Sequence, residues 1–337
     1  MEYRYLGNSG LKVSELCFGV MTFTGSSTSE IGSQDQQQAN GLTSMALDLG
    51  INFFDTADVY SGGISEIMLG KALGSRRKDA VVASKVRFRT GNRPNDTGLS
   101  RHHIIENCNT SLERLGTDYL DLYQIHSYDP GTPLEETLSA LDSLIKSGKV
   151  RYIGCSNLSA WQTMKALAIS EKLKLEKFIT TQLYYSIGVR DIEHELVPLC
   201  LDQKLGILCW SPLSGGFFTG KFRSRDDSPA GARRSRRDAS SLQYWFLDEE
   251  KAYTIVDALE ATGRKYDKTI AQTAVRWLLQ RKAVASVIIG AKKPEQLLEN
   301  TGAGGWILGA EDMDLLEAIS RPQIPYPMSH QLTSDPR

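Results

Sequence analysis

The chain has 337 residues, 41% of them hydrophobic, and a formal net charge of −1 at pH 7. Length and apolar content suffice for a large core, as two domains or as one α/β barrel, and near-neutral charge gives no reason to expect nucleic acid or an anionic membrane as a partner. The five cysteines (Cys17, Cys108, Cys155, Cys200, Cys209) show no Cys-x-x-Cys pair and no metal-type spacing, so reduced thiols in a cytoplasmic protein without a metal site are expected.

The first residues, Met1 to Leu6, lack a basic segment followed by an apolar stretch, so no signal peptide is expected. No later run approaches the ~18–20 apolar residues of a membrane span. Tyr3–Leu6 and Leu11–Ser14 flank Gly-Asn-Ser-Gly and predict a hairpin. Eight short runs rich in Val, Ile, Phe and Tyr follow as strand candidates: Leu16–Val20, Ile51–Thr56, Ala80–Val86, Leu120–His126, Arg151–Ser156, Ile179–Tyr184, Gly206–Ser211 and Ser286–Gly290. Amphipathic segments separate them. Residues 100–115 carry Ile104, Ile105, Cys108, Leu112 and Leu115 at helical spacing, with Ser100 placed as N-cap. Pro133 and the acids Glu135 and Glu136 open another helix, lined by Leu138, Leu141, Leu144 and Ile145 and stopped by Gly148. His102 and His103 read as exposed helix residues, not metal ligands.

Continuous rather than alternating apolar strands, each followed by a helix, predict a parallel sheet. Eight such units point to an α/β fold of the (β/α)8 TIM-barrel type, with the hairpin plugging its amino-terminal end, over residues 1–337 as one domain. An open doubly wound sheet is the alternative. It lacks the Gly-x-Gly-x-x-Gly turn that should follow an early strand. Residues 221–240, rich in Arg, Ser and Asp, are expected to form a long loop after the seventh barrel strand, as a lid or a solvated surface. Residues 321–337 form a tail expected to lie on the surface.

In a barrel of this type the site is built at the carboxyl ends of the strands. Asp55, Lys85 and His126 close the second, third and fourth barrel strands, and Tyr60 follows Asp55 on the loop. A free phenol has a pKa of about 10, too high for an efficient acid near neutrality. A neighbouring ammonium favours the phenolate, and a carboxylate keeps that ammonium charged. Tyr60 can then give a proton to a carbonyl oxygen that His126 orients, while a reduced nicotinamide supplies the hydride. Each residue alone has a plainer reading: a helix cap for Asp55, a loop aromatic for Tyr60, a solvated lysine, a structural histidine. A Schiff-base role for Lys85 is a further alternative, opposed by the carboxylate beside it.

The stretches Gly-Ile-Asn-Phe-Phe-Asp-Thr-Ala-Asp-Val-Tyr (50–60), Ser84-Lys85, Asp-Leu-Tyr-Gln-Ile-His (121–126), Gly-Lys-Val-Arg-Tyr-Ile-Gly-Cys-Ser-Asn (148–157), Trp-Ser-Pro-Leu-Ser (210–214) and Pro-Glu-Gln-Leu-Leu-Glu-Asn (294–300) resemble the aldo-keto reductase superfamily along nearly the whole chain. Its bacterial and potassium-channel β-subunit-like branches are the most similar. The resemblance implies a catalytic tetrad of Asp55, Tyr60, Lys85 and His126 acting on a small-molecule carbonyl substrate. It also implies that Ser156, Asn157 and Gln182 hold the nicotinamide carboxamide and that Trp210 stacks on the ring, although Trp210 as plain core packing is the duller alternative. Ser211, Leu213, Ser214, Gly216 and Lys221 would then line the pyrophosphate, and Glu299 and Asn300 the adenine end. At the 2′-phosphate positions many family members carry Lys and Arg, where this chain has Gly290 and Gln296. Lys292, Lys293 and the arginines of 223–237 are near enough in sequence to supply the charge, so NADPH is the expected cofactor and NADH the alternative. A nicotinamide-binding regulatory subunit with little turnover is the competing function.

Overall fold

The computed structural model describes residues 1–25, 34–223 and 248–333. Two short strands, β1 (Tyr3–Tyr5) and β2 (Lys12–Ser14), pair antiparallel, with Tyr3 opposite Ser14. Eight more follow: β3 (Leu16–Gly19), β4 (Phe53–Asp55), β5 (Val81–Val86), β6 (Leu120–Ile125), β7 (Val150–Ser156), β8 (Thr180–Tyr184), β9 (Gly206–Trp210) and β10 (Val284–Ile289). They form a closed barrel in the order β10-β3-β4-β5-β6-β7-β8-β9, and each neighbouring pair is parallel. Closure through Val287 opposite Leu16 rules out the open sheet. The helices are α1 (Gln36–Asp48), α2 (Ile64–Leu73), α3 (Arg101–Leu115), α4 (Leu134–Lys146), α5 (Ala160–Leu173), α6 (Leu196–Gln203), α7 (Glu249–Lys265), α8 (Ile270–Leu279), α9 (Pro294–Thr301), α10 (Ala310–Ser320) and α11 (Met328–Thr333).

Strand alternation divides the buried residues into two sets. Cys17, Phe53, Val81, Ala83, Leu122, Leu208 and Ala285 fill the barrel interior, and Leu6 and Val13 of the hairpin pack into the same cluster. Phe18, Phe54, Val82, Tyr123, Ile153 and Cys209 face outward into the larger core against the helices. The hairpin is thus the plug its sequence suggested. Gly7 makes the closure possible: its φ is +58°, and a Cβ there would stand 2.0 Å from the Ile179 carbonyl oxygen.

Ser100 caps α3 by accepting the His103 N–H at 3.3 Å, and Gly116 ends it in the left-handed region with φ 61°. His103 departs from its expected exposure. It is buried on α3, with ring Nδ1 2.8 Å from the Asn107 amide nitrogen, whereas His102 is exposed. All five cysteines are buried and unpaired. Among the described residues, no helix is long and apolar enough to cross a membrane, and no three His, Cys, Asp or Glu side chains are grouped to hold a metal. Of the expected loop 221–240, residues 221–223 are described and the remainder lies outside the described residues. The described part of the tail is largely exposed, with Tyr326 and its neighbours bordering a cleft of about 280 Å³ against Ser159, Asp191 and Glu195.

Candidate active site

Strand phase selects the side chains that meet at the barrel's carboxyl end. Phe53 and Val81 point inward, so Asp55, two residues beyond Phe53, and Lys85, four beyond Val81, point inward too. Lys85 is fully buried and spends three N–H donors: on Asp55 Oδ1 at 2.6 Å, the Thr56 carbonyl at 2.8 Å and the Tyr60 hydroxyl at 3.2 Å. Asp55 Oδ2 accepts from Gln182 Nε2 at 2.8 Å, across the barrel from β8. Both carboxylate oxygens are therefore engaged. Burial disfavours the ammonium, but the Asp55 carboxylate and Tyr60 outweigh it and hold the Lys85 pKa above its ordinary value. An amine so fully donated and so firmly cationic is a poor nucleophile, which counts against a Schiff-base role.

Tyr60 starts a tight turn, Tyr60–Gly63, in which Ser61, Gly62 and Gly63 all have positive φ (50°, 65° and 95°). Two glycines make that path affordable. Burial raises the Tyr60 pKa, the Lys85 ammonium pulls it down and the Asp55 carboxylate pushes it up again. The net direction is upward, contrary to the lowering expected from the ammonium alone. Desolvation wins. Tyr60 is accordingly a neutral phenol at pH 7, a state suited to giving a proton.

His126 follows β6, its ring edge-on to Tyr60 at 5.9 Å between centroids and edge-on to Phe88 at 4.8 Å. Burial, then the Lys85 and Arg87 charges, depress its pKa well below the usual imidazole value. The ring is neutral, and its Nδ1 is buried without a hydrogen-bond partner among the described residues. Of the aromatic residues near this end of the chain's strands, Phe23 and Phe54 belong to the helix-side core, Tyr128 pairs with Trp161, and Phe88 meets His126.

The turn bearing Tyr60 is held from outside the barrel by residues the sequence did not single out for the site. Arg114 of α3 donates to the Asp58 carbonyl at 3.1 Å and to Glu66 Oε2 at 3.0 Å. Glu66 Oε1 accepts from Ser84 Oγ at 2.6 Å, so the clamp runs on to the strand that carries Lys85. A Cβ on Gly63 would lie 2.2 Å from Arg114 Cζ, so only glycine leaves room for the guanidinium. Asp58 serves this loop through its main chain. Among the described residues its carboxyl oxygens accept no hydrogen bond of normal geometry, and burial and the Glu66 charge push its pKa up to about 8.

The remaining expected positions ring the same end of the barrel. Ser156 Oγ donates to the Gln182 carbonyl at 2.9 Å. Asn157, with φ 56°, donates to the His126 carbonyl at 3.1 Å and accepts from Trp210 Nε1 at 3.1 Å. Trp210 stacks on Tyr184 at 4.6 Å. After β9, Ser211, Ser214, Gly215 and Gly216 all take positive φ (51°, 45°, 65° and 93°), and Leu213 lies between them. The Ser214 hydroxyl is buried against Tyr184 and Ser186 at 3.2 and 2.9 Å, and its N–H donates to the Ser211 carbonyl at 2.9 Å. A Cβ on Gly216 would come within 2.7 Å of Lys221 Nζ. Beyond β10, Gly290 has open space where a side chain would stand, and its carbonyl accepts from Asn300 Nδ2 at 3.1 Å. The Gln296 side chain caps the Lys292 N–H at 2.7 Å, and Glu299 is exposed on α9.

The family model for the aldo/keto reductase family matches residues 15–321. The chain is 37% identical to a probable voltage-gated potassium channel subunit beta of Oryza sativa subsp. japonica over 325 residues, covering 95% of this chain and 96% of the relative. It is 38% identical to the uncharacterized oxidoreductase YrpG of Bacillus subtilis over 331 residues, 95% and 96% of the two chains. It is 34% identical to the versiconal hemiacetal acetate reductase of Aspergillus parasiticus over 348 residues, 97% and 99%. A model match across most of the chain, with full-length relatives of this similarity, places the protein in the aldo/keto reductase family, a family of nicotinamide-dependent oxidoreductases.

Proposed function

We propose that the protein reduces an aldehyde or ketone to the alcohol, reversibly, with NADPH, and that Tyr60 supplies the proton. The observation that carries this reading is the chain Asp55–Lys85–Tyr60, in which a buried cation with every donor spent faces a neutral phenol. Tyr60 protonates the carbonyl oxygen as it gains charge, and the adjacent ammonium stabilises the phenolate left behind. His126, being neutral, donates to or orients the same oxygen without competing as an acid. In the reverse direction the Tyr60 phenolate is the base. Asp55 keeps Lys85 in place and charged.

Nicotinamide, when bound, supplies the hydride that attacks the carbonyl carbon. The residues present fit such a cofactor. Ser211, Ser214, Gly215 and Gly216 take positive φ beside Lys221, a glycine-containing turn with an ammonium that suits a pyrophosphate. Ser156, Asn157 and Gln182 offer the amides and hydroxyl that recognise a carboxamide, Trp210 offers a ring face, and Gly290, Lys292, Gln296, Glu299 and Asn300 frame the adenosine end. NADPH is preferred over NADH for the basic residues Lys292 and Lys293 there. The same reading takes the chain as one barrel domain and, on its unpaired cysteines, as cytoplasmic.

A second reading, a nicotinamide-binding regulatory subunit with little turnover, draws on the channel-subunit name of the rice relative. Following NADPH and NADH oxidation over a panel of aromatic, aliphatic, sugar and α-dicarbonyl substrates separates the two. The reductase reading expects turnover with at least one carbonyl and a preference for NADPH. Tight cofactor binding with no oxidation across the panel would favour the regulatory one.

A further inference from the structure

Arg87 is a cation at the barrel mouth that the proposed chemistry leaves unused. Val81 and Ala83 fill the barrel interior and Lys85 reaches Asp55; β5 ends at Val86, and Arg87, half-buried with φ 156°, is the first residue beyond it. Its place just past the carboxyl end of the strand puts it at the rim of the barrel, near enough to His126 for its charge to act on that ring. Its guanidinium lies over the Phe88 ring, 5.0 Å from the centroid, and that ring in turn meets His126. The Arg87 carbonyl is pinned by the Gly98 N–H at 2.8 Å and the Thr97 hydroxyl at 3.4 Å, so the position is built rather than loose.

The guanidinium has neither a hydrogen bond nor an ion pair among the described residues, and its Nε is buried without a partner. A buried, unsatisfied donor on a charged group is uncommon enough to call for a partner. The carboxylate that feels its charge, Asp129, spends its oxygens elsewhere, on the Leu99 N–H at 2.7 Å, the Thr132 hydroxyl at 2.7 Å and the Gly131 N–H at 2.9 Å. Lys85, whose charge also acts on His126, is already paired. Ring order separates Arg87 from the cofactor's phosphates. In the order β10-β3-β4-β5-β6-β7-β8-β9, β5 stands opposite β9, whose following turn is the pyrophosphate candidate.

We propose that Arg87 is an anion-holding, specificity-determining residue of the substrate cleft, and that the substrates are carbonyl compounds carrying a carboxylate a few atoms from the carbonyl. With the carbonyl oxygen between Tyr60 and His126, the far end of such a molecule passes over Phe88 and meets the guanidinium, which matches a carboxylate in bidentate geometry. This inference rests on the reductase reading of the site.

The test compares 4-carboxybenzaldehyde with its methyl ester, both reduced with NADPH by the wild type and by Arg87→Gln and Arg87→Lys. The wild type is expected to favour the carboxylate about tenfold or more in kcat/KM, the order of one well-placed charged contact. The preference should arise in KM and shrink as salt rises. Arg87→Gln should erase it while leaving the ester within about threefold, and Arg87→Lys should restore part of it. Equal treatment of acid and ester by the wild type, or an equal loss on both in Arg87→Gln, would overturn the proposal. If neither aldehyde is reduced, the reductase reading is what fails for these substrates, and calorimetric titration with benzoate and benzamide decides the anion site alone. Benzoate binding that Arg87→Gln abolishes supports it, and benzoate binding that is absent, or indifferent to Arg87, defeats it.

Discussion

Asp55 and Asp58 sit three residues apart on one connection, are buried to 3% and 1% exposure, and lead opposite lives. Asp55 lies on the inner side of the barrel wall, where Lys85 and Gln182 take both its oxygens. Asp58 lies on the outer side, beneath α2 and α3, beside a Glu66 that already has the local cation. On the inner side Asp55, Lys85 and Tyr60 are each set against a partner. Around Asp58 on the outer side, Arg114 pairs with Glu66, and burial and the Glu66 charge favour the protonated Asp58 carboxyl. The contrast teaches that burial alone does not make a reactive group. What distinguishes the inner side is a cation whose donors are all directed, with a phenol at the end of the line.

The widest way to break that contrast is to empty the inner side. Lys85→Met should lower kcat for carbonyl reduction by about 10²–10⁴-fold, the range for losing a partner of the acid, while cofactor affinity by fluorescence titration changes little. It should also move the rising limb of the pH profile for alcohol oxidation to higher pH, because the ammonium that favours the Tyr60 phenolate is gone. On the outer side, Arg114→Met strands the buried Glu66 carboxylate and should cost about 3–5 kcal/mol in denaturant unfolding, nearer the low end because Arg114 is 21% exposed. Adding Glu66→Gln removes the stranded charge and should recover much of that loss. A double variant no more stable than the single one would show that packing, not charge, governs the clamp.

The smallest effect is expected at Asp58. A carboxyl whose folded pKa lies near 8, above its unfolded value of about 4, makes the folded state the better proton binder between those limits. Its penalty is absent below the unfolded pKa and grows as pH rises, so stability falls across that window and levels off beyond it. Asp58→Asn should therefore stabilise the protein by about 1–3 kcal/mol at pH 8, and by less at pH 5, in melts compared with the wild type. A variant with an unchanged slope against pH would mean that Asp58 is ionised in the folded protein.

Much of the inner side was legible in the sequence, and the reason is local. Apolar strands that end on Asp55, Lys85 and His126 announce both the barrel and the end of it that carries polar groups, and the hairpin's spacing announces the plug. Strand ends moved by a few residues, as with Ile51–Thr56 shortening to Phe53–Asp55, because continuous apolar runs do not mark where pairing stops. The outer clamp was not legible. Ser84, Glu66 and Arg114 come from β5, α2 and α3, and their meeting depends on which side of the strand Ser84 faces and how the two helices pack. Ser84 next to Lys85 held the one available hint, since adjacent strand residues face opposite sides. The same phase sends Phe54 into the helix-side core rather than the cleft. His103 was misread because a polar residue on a helix looks exposed until its face is known. The direction of the Tyr60 shift needed the structure, since it is a contest between burial and a charge at 3.2 Å.

The central claim is that Tyr60 supplies the proton, and Tyr60→Phe tests it most directly, with NADPH oxidation by the best panel carbonyl measured beside NADPH affinity. The account predicts that turnover falls by about 10²–10⁴-fold or more while the cofactor binds as in the wild type. Turnover retained in the phenylalanine variant would contradict it.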